Sequence, residues 1–114
     1  MMRLAIIGSR SFDDYQLIIN ELQSYKDKIT LVVSGGARGA DTLSEKWANE
    51  NNIETLIFLA DWEKHGKRAG FIRNEDIIKN CDCCIAFWDG KSPGTKHSLS
   101  LCKKLNKPYR VINI

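Results

Sequence analysis

Apolar residues along this chain fall into short unbroken runs, separated by glycine-marked turns and by stretches with helical spacing. The first run holds Leu4, Ala5, Ile6 and Ile7 in succession, which predicts a strand over 2–8 buried on both faces. Gly8-Ser9-Arg10-Ser11 ends it. Asp13 or Asp14 then serves as N-cap for a helix to about Lys26, with Tyr15, Ile18, Leu22 and Tyr25 along one face. A second strand is predicted over 29–34, and the glycine pair Gly35-Gly36 follows it directly. The next helix carries Ala40, Leu43, Trp47 and Ala48 on its inner side and runs to about Asn51.

A third strand is predicted over 54–59, and 60–70 is the longest irregular stretch. Residues 71–80 read as a helix that packs through Ile72, Ile77 and Ile78, with Arg73 and Asn74 near its start. Residues 83–88 form a fourth apolar run, 89–95 a turn-rich loop, and a helix to about Leu105 precedes a last strand over 109–112. Strands alternating with helices through short turns imply right-handed crossovers and a parallel sheet covered on both faces. The class is α/β, as one domain over 1–114.

Composition narrows the class further. Hydrophobic and charged fractions of 43% and 27% are ordinary for a globular protein and exclude disordered and fibrous chains. No apolar run approaches the ~20 residues that span a bilayer, and no signal-peptide pattern is present, so a cytoplasmic location is expected. The net charge of +3 is too small to argue for nucleic acid by itself. Cys81 and Cys84 have C-x-x-C spacing, but no second pair completes a zinc site, and buried thiols are expected rather than a metal.

The unusual loops all follow strands, whereas those at the opposite end of the sheet are plain turns. In an open parallel sheet ligands bind beyond the strands' carboxyl ends, where strand order reverses. The stretch Ser34-Gly35-Gly36-Ala37-Arg38-Gly39-Ala40-Asp41 brings a glycine turn to a helix start, an arrangement suited to an anion or, equally, to tight packing. Arg10, Arg38, Lys67 and Arg73 suit phosphates, and Asp41, Asp61 or Asp89 suit ribose hydroxyls. Trp62 or Trp88 suits a base, and His65 suits a general acid or phosphate donor. Trp88 has the rival role of capping the core, and Asp61 that of capping a turn.

Together, Gly8-Ser9-Arg10, the 34–41 stretch, Asp61-Trp62, His65-Gly66-Lys67, Arg73-Asn74, Phe87-Trp88-Asp89-Gly90 and Gly94-Thr95 resemble the YspA/YpsA-like branch of the SLOG superfamily. The resemblance implies a Rossmann-like sheet and a pocket for nucleotides or nucleotide-derived signals, often in phage or bacterial conflict, and the order expected for the sheet is 3-2-1-4-5. The site it implies runs through Gly8, Ser9, Arg10, Ser34, Gly35, Gly36, Ala37, Arg38, Asp41, Asp61, Trp62, His65, Lys67, Arg73, Trp88, Asp89, Gly94 and Thr95. No cofactor is expected, and self-association is left open. One crevice would take Gly8-Ser9-Arg10, the Gly36 turn and Trp88-Asp89, with the 61–70 loop as wall or lid.

Two related families mark the alternatives. The LOG-type phosphoribohydrolases carry Pro-Gly-Gly-x-Gly-Thr-x-x-Glu; this chain keeps Gly94-Thr95 but has Ser98 in place of the glutamate, so Asp89 or Glu45 would have to substitute in N-glycosidic hydrolysis. The DNA-processing protein A family has a Ser-Gly-x-Ala-x-Gly-Ile-Asp stretch similar to 34–41 and binds single-stranded DNA.

Overall fold

The computed structural model describes residues 2–114. Five strands, β1 (Met2–Gly8), β2 (Ile29–Ser34), β3 (Glu54–Ile57), β4 (Cys83–Trp88) and β5 (Tyr109–Asn113), form one sheet in the order β3-β2-β1-β4-β5. Every neighbouring pair is parallel, with Ala5 opposite both Val33 and Cys84 at the centre. β1 and β4 therefore stand side by side where the winding reverses, as expected for the doubly wound order.

Strand alternation explains why the apolar runs are unbroken. Leu4 and Ile6 face one core layer with Val32, Ile85 and Phe87; Ala5 and Ile7 face the other with Val33, Cys84 and Ala86. The first layer is closed by α1 (Tyr15–Leu22) and α2 (Ala40–Glu50), whose Ile18, Leu22 and Trp47 are buried, and the rings of Phe12 and Phe87 stack with centroids 5.0 Å apart. The second is closed by α4 (Ala69–Lys79) and α5 (Pro93–Lys104) through Ile77, Ile78, Leu99, Leu101 and Cys102. Cys81, Cys84 and Cys102 are buried thiols and Cys83 is half-buried.

Three boundaries differ from the sequence pattern. Asp14 caps α1 by accepting from Leu17 N at 3.1 Å, but the α-helix stops at Leu22 and continues as a 3₁₀ turn over Gln23–Lys28, with no buried side chain. β3 stops at Ile57: Phe58 N still donates to Ser34 O at 2.9 Å, after which Leu59 turns aside to cover Gly36. Residues 60–70 are not irregular throughout. Asp61 accepts from Lys64 N at 3.1 Å and so caps one helical turn, α3 (Trp62–His65), which Gly66 ends at φ 58° before α4 begins at Ala69. That turn has no apolar periodicity, so only its cap was legible.

Candidate nucleotide-binding cavity at the switch point

The three loops around the switch point are tied together by Ser9, which is fully buried. Its N–H donates to Phe87 O at 3.0 Å, and its carbonyl accepts from Phe12 N at 3.2 Å and Ala40 N at 3.3 Å. Its hydroxyl accepts from Asp89 N at 3.2 Å and lies 3.0 Å from Ser92 Oγ. Ser9 is thus a strut between loops. Gly39 sits against it at φ 78°, where a Cβ would be only 2.3 Å from Ser9 O.

The glycine turn closes on itself instead of on an anion. Asp41 places its own carboxylate at the start of α2, where Oδ2 accepts from Ala37 N at 3.1 Å. Ser34 is buried and its hydroxyl donates to Glu45 at 2.9 Å. Gly36, at φ 69°, is covered by Leu59 and Ile57, away from the crevice. Gly35 leaves room for Asp41 and Arg73, which its missing Cβ would meet at 3.0 and 3.1 Å. An anion expected at the pair Gly35-Gly36 therefore finds a protein carboxylate already in its place.

Across the crevice the situation reverses. α5 starts at Pro93 behind Ser92, whose hydroxyl is turned toward Ser9 and Asp89 and makes no bond to the helix. The first turn of α5 holds no acidic residue, and its amino end opens on a cavity of about 440 Å³. Gly8, Arg10 and Ser11 form one side of this cavity, Ala37 and Asp41 another. Arg73, Asn74 and Ile77 come from α4, and Ser92, Pro93, Gly94, Thr95 and Ser98 from the start of α5.

Charge in the cavity is uneven. Arg73 is half-buried, its Nε is buried without a hydrogen-bond partner, and its Nη1 reaches Gly35 O only at 3.5 Å. Burial lowers its pKa, which the Asp41 carboxylate opposes and the nearby Arg10 reinforces. Asp41, 8% exposed, has its pKa pushed up to about 6 by burial, against the pull of Ala37 N–H and Arg73. Two guanidinium groups and one helix amino end thus face a single protonatable carboxylate.

Several expected residues lie elsewhere. Asp89 does not line the cavity: its Oδ1 accepts from Lys91 N and Ser92 N, both at 2.8 Å. Those N–H bonds hold its pKa down to about 2, which suits a loop clamp rather than an acid catalyst. Trp88 is half-buried against the second core layer and donates through Nε1 to Ser92 O at 3.1 Å. Asp61 is used as a helix cap, and Trp62, 53% exposed, lies along Gly70 outside the cavity. His65, Lys67 and the exposed Arg38 are likewise absent from its wall, so the 61–70 segment is neither wall nor lid in this structure.

Other wall residues escaped the pattern. Ser11, Ser92 and Ile77 are too common in type to stand out, and Asn74 is legible only beside Arg73. Ser98 occupies the position where the hydrolase motif carries glutamate, and it faces the same cavity. Glu45 points its carboxylate to Ser34 instead. Asp41 is thus the carboxylate that the wall contains.

Comparison with known proteins settles the lineage. A family model described as the YspA, cpYpsA-related SLOG family matches residues 2–65. The gene 61 protein of Mycobacterium phage D29 is 37% identical over 122 residues, spanning 99% of this chain and 96% of the relative. The chain belongs to the YspA, cpYpsA-related SLOG family. Among solved structures, DNA processing protein A of Helicobacter pylori, described for its binding of single-stranded DNA, matches with TM-score 0.73 at 25% identity over 96% of this SLOG chain. DNA processing protein A of Streptococcus pneumoniae matches over 98% with TM-score 0.81, at 18% identity, which speaks for the fold. The SLOG chain spans 64% and 50% of those two proteins. Among the described residues no helix is long and apolar enough to cross a membrane.

Proposed function

We propose that this protein binds a phosphorylated nucleotide or nucleotide-derived small molecule in the switch-point cavity, as a sensor or a sequestering protein. The observation that carries this reading is the Arg73 guanidinium, half-buried and without a partner for its Nε, in the same cavity wall as the open amino end of α5. The guanidinium makes a single long bond, from Nη1 to Gly35 O at 3.5 Å, and so has charged donors to spare for an anion, a hydrogen bond of that kind being worth roughly 1.5–3 kcal/mol. The volume of about 440 Å³ is in the range of small-molecule sites. The phage-encoded relative is consistent with a role between phage and host.

Calorimetry against mononucleotides, dinucleotides, cyclic nucleotides and ADP-ribose tests it. One-to-one binding by a member of the panel, weakened in Arg73→Ala, is expected. No heat across the panel at millimolar concentration overturns the reading.

Single-stranded DNA is the second reading, favoured by the likeness to the Helicobacter pylori protein. Contact with many phosphates would make affinity fall steeply with salt, whereas a mononucleotide gives a shallow slope. A third reading is hydrolysis of the N-glycosidic bond, with Asp41 as the carboxylate at hand. Release of free base, followed by chromatography, separates it from binding alone.

A further inference from the structure

Asn74 is buried on α4, immediately after Arg73, and it lines the cavity. Its side-chain Nδ2 lies 3.4 Å from Gly94 O and 3.2 Å from His97 Nδ1. A carbonyl oxygen only accepts, so the amide must turn its NH₂ group toward Gly94. The two amide hydrogens then go to Gly94 and His97, which requires a bare Nδ1 and a proton on Nε2 of the imidazole. Phe71 holds that ring edge-on, with centroids 4.6 Å apart and planes at 63°.

The oxygen of Asn74 is what remains for a ligand. Arg73 Nε is the one buried polar side-chain atom without a partner among the described residues, so Asn74 Oδ1, which no protein donor meets, keeps access to solvent. With its donors spent, the group that Asn74 has left for a partner is an acceptor. Arg73 and Asn74 line the same cavity, so a nucleotide whose phosphate meets the guanidinium brings its sugar hydroxyls into the space that Asn74 also lines. Building on the nucleotide reading above, we propose that Asn74 selects a ribose, accepting a hydrogen bond from a sugar hydroxyl, and that His97 is the positioning residue that keeps its amide in this orientation. Discrimination by a sugar hydroxyl is a common means of separating ribo- from deoxyribonucleotides.

The test is calorimetry on the whole chain with the four ribonucleoside 5′-monophosphates, their 2′,3′-dideoxy counterparts and inorganic phosphate. The dideoxy forms are expected to bind about ten-fold more weakly to the wild type, because Asn74 Oδ1 loses its donor. In Asn74→Leu and in His97→Leu that ratio is expected to collapse toward one, and in His97→Leu affinity for inorganic phosphate is expected to be retained. A merely structural role for His97 would weaken all ligands together and leave the ratio intact. Equal binding of ribo and dideoxy forms to the wild type overturns this inference and leaves the nucleotide reading standing. So does a preference that follows the base alone. Failure of every nucleotide to bind removes both. Should Asn74→Leu not fold, the wild-type comparison and His97→Leu still decide.

Discussion

Asp41 and Arg73 share the space above Gly35 without a hydrogen bond between them. A Cβ on that glycine would stand 3.0 Å from Asp41 Oδ2 and 3.2 Å from Arg73 Nε. The cavity's carboxylate and one of its guanidinium groups thus both pack on a position where a Cβ fits only if they shift.

Gly35→Ala is expected to push Arg73 out of place. The neighbours are side chains that can give by a few tenths of an ångström, so the fold should lose about 1–2 kcal/mol in urea denaturation. Gly39→Ala differs, since a Cβ there meets Ser9 O at 2.3 Å and Arg10 O at 2.5 Å at a left-handed φ of 78°. Backbone cannot yield so far, and a loss of about 3 kcal/mol or more is expected. A Gly39→Ala protein as stable as the wild type would refute the loop geometry.

Stability should depend on pH through Asp41. Its folded pKa of about 6 lies above the ordinary 3.8, so between those values the folded chain binds more protons than the unfolded chain. Stability is therefore expected to fall as pH rises from about 4 to about 6, by up to about 3 kcal/mol, and to level off above. Asp89, held down to about 2, acts in the opposite sense but below that window. Urea melts across pH 4–7 should show the slope in the wild type and its loss in Asp41→Asn. Equal slopes would exclude Asp41 as the source.

Arg73→Met should separate binding from folding. Removing a guanidinium whose Nε is buried without a partner is expected to raise the thermal midpoint of the empty protein at pH 5, below the Asp41 pKa of about 6, where that carboxyl is largely uncharged. The same change should lower nucleotide affinity by about 1.5–3 kcal/mol. A lower midpoint would mean that Arg73 supports the fold.

Trp62→Ala is expected to leave mononucleotide affinity within about two-fold, because the ring lies outside the cavity. On the single-stranded DNA reading the exposed indole is a stacking surface, and its loss would cost about 1–3 kcal/mol of oligonucleotide affinity. Parallel titrations of the two ligands distinguish the readings.

Much of the architecture was legible because each central strand is buried on both faces, which leaves runs such as Leu4 to Ile7 with few alternatives. The crevice was also foreseeable, since only one end of the sheet bears unusual loops. Role assignment failed where a residue's partner is remote in sequence. Nothing near Ser9 reveals that Ala40, Asp89 and Ser92 converge on it, and nothing near Asp41 reveals a helix start already supplied with a carboxylate. Asn74 and His97 meet 23 positions apart, and each alone is an unremarkable polar residue on a helix.

The cavity wall is drawn from residues 7–11, 37–41, 73–77 and 92–98, four stretches that meet only in the finished sheet. No fragment that ends before Ser98 holds the whole wall, so the site exists only where β1 and β4 stand side by side and α5 is in place. An occupant would then bridge loops that otherwise communicate through Ser9. By mass action it would hold the whole domain folded, by about 2.7 kcal/mol at a concentration one hundred times its dissociation constant. Heat resistance gained on mixing is accordingly a direct way to recognise the natural ligand in a cell extract, and a chain truncated ahead of α5 should gain none.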